Sequence, residues 1–240
     1  MVIRVPLERA EEARAAWLER FPEGFEEIER DGELELAAYT EAPEPGLATE
    51  DVEPGWEDRW REFHRPVRAG PFWIGPPWEK PPPDTLAVVI DPGRAFGTGA
   101  HPTTRLCVEL VAELAPASLV DIGCGSGVIA IAAALNGFPR VTALDVDPAA
   151  IDATERNAAA NGVALDVRLL DALAQPLPPA EIAVANVSLE VVNALLERLD
   201  AATVVCSGYL ERDEPSLGRY RRLERRTLEG WAADLLERAE

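Results

Sequence analysis

Leu119-Val-Asp-Ile-Gly-Cys-Gly-Ser-Gly-Val128 is the stretch that decides the reading of this chain. A short apolar run closes on Asp121, glycines follow at 123, 125 and 127, and the helix-forming run Val-Ile-Ala-Ile-Ala-Ala-Ala-Leu comes next. That order predicts a buried strand, a tight glycine turn and a helix N-terminus. Such a junction admits a ligand close to the backbone and offers it unpaired N–H groups. The dinucleotide fingerprint places its third glycine where Val128 stands, so the pattern is G-x-G-x-G and a nicotinamide dehydrogenase is disfavoured. Asp145 ends the next apolar run, Val141-Thr-Ala-Leu144. A carboxylate at the tip of a second parallel strand is placed to accept hydrogen bonds from both ribose hydroxyls of an adenosine. The alternative is a tight strand-to-helix turn that binds nothing.

A glycine loop and a ribose acid without the third dinucleotide glycine resemble the S-adenosylmethionine site of doubly wound methyltransferases. Asp121, Gly123, Gly125, Gly127 and Asp145 are therefore candidate cofactor residues.

Composition bounds the partners. With 240 residues the chain can form one sizeable domain, or a standard domain plus a small one. A formal net charge of −20 repels phosphate backbones, which argues against direct nucleic-acid binding and favours a basic protein partner. The alternative is that acidity serves solubility alone. No apolar run reaches the ~18 residues of a membrane span, and the N-terminus does not read as a signal peptide. Cys107, Cys124 and Cys206 lack the spacing of a zinc site and read as reduced, buried thiols, which fits a cytoplasmic protein. With only His64 and His101 besides, no metal centre is expected.

Upstream of the glycine turn, residues 1–40 read as a small βαββ unit. Val2–Val5 alternates as a strand, Leu7–Phe21 carries the apolar stripe of an amphipathic helix, and Phe25–Tyr39 reads as two strands around Asp31-Gly32. The Pro-, Gly- and Glu-rich stretch 41–55 marks a linker. Trp56 to His64 reads as a short helix and Phe72-Trp-Ile74 as a strand. With Trp78, this tryptophan cluster is either an interdomain joint or a peptide-binding surface.

Leu86–Ile90 reads as a buried strand that enters the glycine-rich loop Asp91–Thr104. There Gly97, Thr98 and Gly99 can fold the backbone over a ligand and Phe96 can cover it, and Pro102 suits the first turn of a helix over 102–114. From Ser118 strands at about 118–123, 139–145, 164–170, 181–186 and 202–207 alternate with helices at about 127–136, 148–161 and 188–199, the pattern of a doubly wound parallel sheet. Asp171 ends the third of these strands, either reaching an adenine amino group or solvated. Asn186 ends the fourth, either orienting a ligand or capping the next helix. Residues 219–240 suggest a terminal antiparallel hairpin around Leu228-Glu-Gly230, with a short helix over 231–238 as the alternative.

Four strings together carry a more specific resemblance: Phe96-Gly-Thr-Gly-Ala-His-Pro-Thr-Thr104, Asp121-Ile-Gly-Cys-Gly-Ser-Gly127, Leu144-Asp-Val-Asp-Pro148 and Val184-Ala-Asn186. In order and spacing they are similar to those of the ribosomal protein L-eleven methyltransferases, the PrmA family, over about residues 56–210. The resemblance implies an α/β fold: a doubly wound, seven-stranded Rossmann-like methyltransferase sheet with a small α+β N-terminal domain. It implies a truncated ferredoxin-like substrate-recognition domain with linker at 1–55, a linker helix and strand at 56–80 and a methyltransferase domain at 81–240. It further implies S-adenosylmethionine as cofactor, held by Thr104, Gly123, Asp145 and Asn186 with Phe96 and Gly97 above it. The substrate implied is the stalk-base ribosomal protein, methylated on lysine or N-terminal amines. The family's N-terminal domain is βαββαβ, whereas here its second αβ half is missing or reduced to 41–55, which opens the possibility of another protein or small-molecule acceptor.

The chemistry asks little of the protein. In-line methyl transfer from sulfonium to nitrogen needs a neutral amine, and near a lysine pKa of 10.4 roughly one lysine in 2,500 is neutral at pH 7. The site must desolvate and align the amine, and no His or Cys nucleophile is required. Asn186 is the candidate for orienting that amine. A cofactor-binding module without turnover is the remaining alternative.

Overall fold

The computed structural model describes residues 2–6, 9, 13, 17, 26–30, 33–37, 65–91 and 99–239. The chain divides into two compact units, Met1–Trp60 and Arg61–Glu240.

In the first unit, strands β1 (Val2–Pro6), β2 (Glu26–Arg30) and β3 (Glu33–Ala37) form an antiparallel sheet in the order β1-β3-β2. Arg30 pairs with Glu33 across β2 and β3, while Asp31 and Gly32, where the sequence places the hairpin turn, lie outside the described residues. Period-two alternation puts Leu34 and Leu36 on one face of β3, where both are fully buried with Trp17. Of the helix expected over 7–21, Ala13 and Trp17 are helical and most of the rest lies outside the described residues, as do the linker 41–55 and the helix expected at 56–64.

The second unit is built on a seven-stranded sheet. Its strands are β7 (Ser118–Ile122), β8 (Arg140–Asp145), β9 (Asp166–Leu169), β10 (Ile182–Asn186), β11 (Thr203–Leu210), β12 (Tyr220–Leu228) and β13 (Trp231–Arg238). They lie in the order β12-β13-β11-β10-β7-β8-β9. All neighbours from β11 to β9 are parallel, while β13 is antiparallel to both β11 and β12. Four helices alternate with them: α1 (Pro102–Glu113), α2 (Val128–Leu135), α3 (Pro148–Ala160) and α4 (Leu189–Arg198). The expected elements stand within a few residues of their predicted bounds.

Two cores flank the sheet because successive strand residues point to opposite faces. Leu119, Val141, Ala143, Ile182 and Val184 pack with α1 and α2, whereas Val120, Ile122, Ala183, Ala185 and Val204 pack with α4. This is why the parallel strands read as continuous apolar runs. Helix α2 is apolar all round and almost wholly buried, the composition expected of a helix enclosed by protein.

The terminal hairpin forms as read from the sequence, and its helical alternative over 231–238 does not: Glu229 and Gly230, both in left-handed conformation, make the two-residue turn between β12 and β13. Two departures from the sequence reading stand out. Strand β11 runs on to Leu210, past a bulge between Ser207 and Tyr209. Strand β6 (Leu86–Val89) is half-covered, with Leu86 exposed and Val88 buried, because it lies at the edge of a separate three-stranded sheet with β4 (Val67–Ala69) and β5 (Phe72–Gly75).

Candidate functional site

The sheet places its ligand crevice by topology. From β7 the chain proceeds through β8 to β9 on one side and returns to β10 and β11 on the other. The carboxyl ends of β7 and β10 are thus the switch point, where helices leave toward opposite faces and backbone amides stay accessible.

The glycine turn forms that point. Gly123, Gly125 and Gly127 all have left-handed φ, of 76°, 55° and 84°. A methyl group on Gly123 would stand 2.6 Å from the Val187 side chain, and one on Gly127 would stand 3.0 Å from Thr154. The turn is pinned from beneath: the Gly123 and Cys124 amides donate to the Leu144 carbonyl at 2.8 and 3.0 Å. Gly127 is the N-cap of α2 and has no side chain of its own to cap it; Asp121 takes the Ala130 amide, and the amides of Val128 and Ile129 are left to a ligand or solvent.

Asp121 and Asp145 divide two roles between them. Asp121, 1% exposed, accepts from the Ala130 amide at 3.1 Å and so ties β7 to the first turn of α2. Burial pushes its carboxyl up to about 7, a shift moderated by the Ala130 hydrogen bond and assisted by the nearby Asp145 charge. Asp121 is a structural clamp beneath the turn. Asp145 stands half-buried at the rim, its Oδ2 accepting from Gly125 N at 2.9 Å and its Oδ1 from Asp147 N at 3.0 Å. Each carboxylate oxygen has a second acceptor site, so the group is oriented by the backbone and still able to take two hydroxyl donors.

Asp171 lies at the next rim position, since Leu170 N donates to the Asp145 carbonyl at 2.8 Å. Its Oδ1 accepts from Leu173 N at 2.8 Å and Ala174 N at 3.3 Å, so one oxygen organises the following turn. Across the switch point Asn186 is half-buried at the end of β10, and its Nδ2 donates to Thr104 Oγ1 at 3.2 Å. The capping alternative for Asn186 does not hold: Ser188 occupies the N-cap of α4. Thr104 is delivered by α1, whose N-cap is His101; Thr103 N donates to His101 Nδ1 at 3.4 Å, and the ring packs edge-on to Trp231 at 4.7 Å.

Asp121, Gly123, Gly125, Gly127, Asp145, Asp171, Thr104 and Asn186 are thus brought to one crevice or directly beneath it. Phe96, Gly97 and Thr98 lie outside the described residues. The three cysteines are free and buried, as expected, and burial raises the thiols of Cys124 and Cys206 to about 12, too high for a thiolate nucleophile near neutral pH. Among the described residues no group of three or more His, Cys, Asp or Glu side chains is arranged to hold a metal ion, and no helix is long and apolar enough to cross a membrane.

Comparison with known proteins places the chain in a family. Residues 32–219 match the family model described as ribosomal protein L11 methyltransferase (PrmA). The chain belongs to this family. A relative named ribosomal protein L11 methyltransferase from Shewanella sediminis is 44% identical over 137 residues, 55% of this chain and 47% of that one. Another so named, from Teredinibacter turnerae, is 37% identical over 196 residues, 77% of this chain and 64% of its own length. The chain therefore spans about half to two thirds of the curated relatives it matches. A crystal structure described as a ribosomal protein L11 methylase from Lactobacillus delbrueckii subsp. bulgaricus superposes with a TM-score of 0.67 at 26% identity, covering 74% of this chain and all of that one.

Sequence reasoning missed three residues at the site. Val146 is 66% exposed directly after Asp145, an apolar side chain at the rim where a flat ring can lie; its signal was an apolar residue between two aspartates. Trp231 reaches His101 from the far end of the chain and carried no local signal. Gly208 has a φ of 103° and passes beside the turn after Asn186.

Proposed function

We propose that this chain is an S-adenosylmethionine-dependent methyltransferase that methylates amines, lysine side chains or the N-terminus, of ribosomal protein L11. The observation that carries the reading is the Asp145 carboxylate, fixed at both oxygens by backbone amides of the crevice and retaining a second acceptor site on each. The residues suit an adenosyl sulfonium: two acceptor sites for a ribose diol, exposed Val146 against the adenine, Asp171 at the adjoining rim, and α2 amides near Gly127 for the amino-acid carboxylate.

When bound, the cofactor supplies an electrophilic methyl group whose sulfur departs as a neutral thioether. The protein's part is placement. Thr104 Oγ1 holds the Asn186 amide by its donor nitrogen, so the Asn186 carbonyl is the atom offered to an amine N–H. An amine held there presents its lone pair to the methyl carbon, and its proton passes to solvent. The net charge of −20 attracts both a cationic cofactor and a basic protein. That charge also argues against direct contact with nucleic acid, and the cytoplasm, where ribosomal proteins are made, is the proposed place of action. The small unit at 1–55 is the proposed recognition piece, with the methyltransferase domain at 81–240.

Another protein or small-molecule acceptor is the competing reading. The deciding experiment incubates the purified chain with isotopically labelled S-adenosylmethionine and ribosomal proteins and reads masses. Added methyl masses on ribosomal protein L11, absent with Asp145→Ala, establish the proposal; cofactor binding with label elsewhere transfers it to another acceptor.

A further inference from the structure

One face of α3 carries Thr154 and Asn157, and Asn161 at its C-cap continues the row, spaced three and four residues apart and therefore aligned. Thr154 and Asn157 are buried at 0% and 2% exposure. All three side chains hydrogen-bond to main-chain atoms of distant segments. Thr154 Oγ1 donates to the Gly125 carbonyl at 2.9 Å. Asn157 Nδ2 donates to the Ser126 carbonyl at 2.9 Å, and its Oδ1 accepts from the Asp91 amide at 3.0 Å. Asn161 pairs with both polar atoms of Val89, accepting from its N at 2.8 Å and donating to its O at 2.6 Å.

These partners are two stretches of backbone with one thing in common. Gly125 and Ser126 belong to the glycine turn, and Val89 and Asp91 are where the chain leaves β6. Asn157 alone, with a donor and an acceptor on one planar amide, grips both at once. Both partners are main-chain groups that no substitution at position 157 removes, so this amide satisfies the two segments and fixes their register at the same time. Displacing Ser126 moves the amide of Gly125, which orients Asp145.

We propose that Asn157 is a positioning residue for methyl transfer, holding the cofactor turn in register with the chain's exit from β6. This rests on the reading that the glycine turn binds S-adenosylmethionine. Asn157 touches neither ligand and acts through the Ser126 carbonyl and the Asp91 amide.

The test compares Asn157→Leu, Asn157→Asp and Asn161→Leu in the full chain, measuring S-adenosylhomocysteine affinity by calorimetry together with kcat and the KM for S-adenosylmethionine. Asn157→Asp keeps the acceptor for Asp91 N and loses the donor to Ser126 O. It is expected to raise the cofactor KM at least tenfold while kcat at saturation stays within threefold of the parent. Asn157→Leu severs both bonds and lowers kcat as well. Asn161→Leu, which breaks half-buried side-chain to main-chain bonds away from the turn, leaves cofactor KM and kcat within twofold. Equal effects of Asn157→Asp and Asn161→Leu on cofactor KM overturn the proposal, as does a folded Asn157→Asp with unchanged KM. If Asn157→Leu does not fold, the Asn157→Asp comparison decides. Failure of the parent chain itself to bind S-adenosylhomocysteine would instead refute the underlying cofactor assignment.

Discussion

Gly208 passes so close to Val187 that a methyl group on its α-carbon would lie 2.0 Å from the Val187 carbonyl oxygen. Gly208 is the extra residue of the β11 bulge, and Val187 N donates to the Ser207 carbonyl at 3.1 Å just before it. The bulge wraps β11 around the turn that follows Asn186 and sets where β10 ends. A side chain there faces both a steric clash and a left-handed φ of 103°, a conformation that costs a non-glycine residue about 1–3 kcal/mol. Gly208→Ala is expected to lose roughly 3 kcal/mol or more in denaturant titration and to lower kcat more than cofactor affinity. Unchanged midpoint and turnover would show that the bulge does not set the turn.

The Thr104–Asn186 hydrogen bond gives a narrower expectation. Thr104→Val keeps the shape and removes the acceptor, which frees the Asn186 amide to rotate. One misplaced orienting group is worth about tenfold in rate. Steady-state kinetics should show kcat reduced by about that factor with cofactor KM within threefold. A larger effect on KM than on kcat would place Asn186 on the cofactor and not on the amine.

For Asp145 the loss falls on binding. Asp145→Ala removes two charge-assisted bonds to the proposed ribose, each worth about 1.5 kcal/mol or more, so S-adenosylhomocysteine should bind roughly 100-fold more weakly. Isothermal titration that finds affinity unchanged would remove Asp145 from the site.

Amine ionisation sets the pH dependence of turnover. Below the amine pKa, kcat/KM for the acceptor should rise about tenfold per pH unit. The rise should continue toward pH 10 for a lysine and level off near pH 8 for an N-terminal amine. A flat profile between pH 6 and about 8 would exclude deprotonation of the free amine as the controlling event.

Asp121 makes stability pH-dependent in a defined direction. Its carboxyl is raised in the folded chain from 3.8 to about 7, chiefly by burial. Folding therefore holds a proton that the unfolded chain releases between those values, so this group's contribution declines as pH rises from about 4 to about 7. Asp121→Asn retains an acceptor for Ala130 N and removes the titration. In urea titrations the variant should gain on the parent progressively across that window, by about 4 kcal/mol at its upper end. A constant difference from pH 4 to 7 would mean that Asp121 ionises normally.

Some of this was visible in the residues alone because it is local. Apolar runs such as Ile182–Ala185 read as parallel strands covered on both faces, and glycines at 123, 125 and 127 between an apolar run and a helix-forming run read as a tight turn, which their left-handed φ values bear out. The rim acid Asp145 announced itself by ending such a run. His101 as a helix cap and Val146 as an exposed apolar residue are equally local, but their sequence signals are weak beside those of their neighbours.

By itself, then, the sequence determined the order of strands and helices, the hairpin at Glu229-Gly230 and the identity of the crevice-forming turn, since each depends on residues within a few positions of one another. The tertiary structure alone decided that Gly208 must clear Val187, that Trp231 reaches His101 and that Asn157 grips both Ser126 and Asp91. The partners of Asn157 lie 31 and 66 residues away, and nothing in an asparagine on a helix face specifies which distant backbone will pack against it. A side chain's propensity is a property of its neighbours in sequence, whereas a buried hydrogen bond is a property of its neighbours in space.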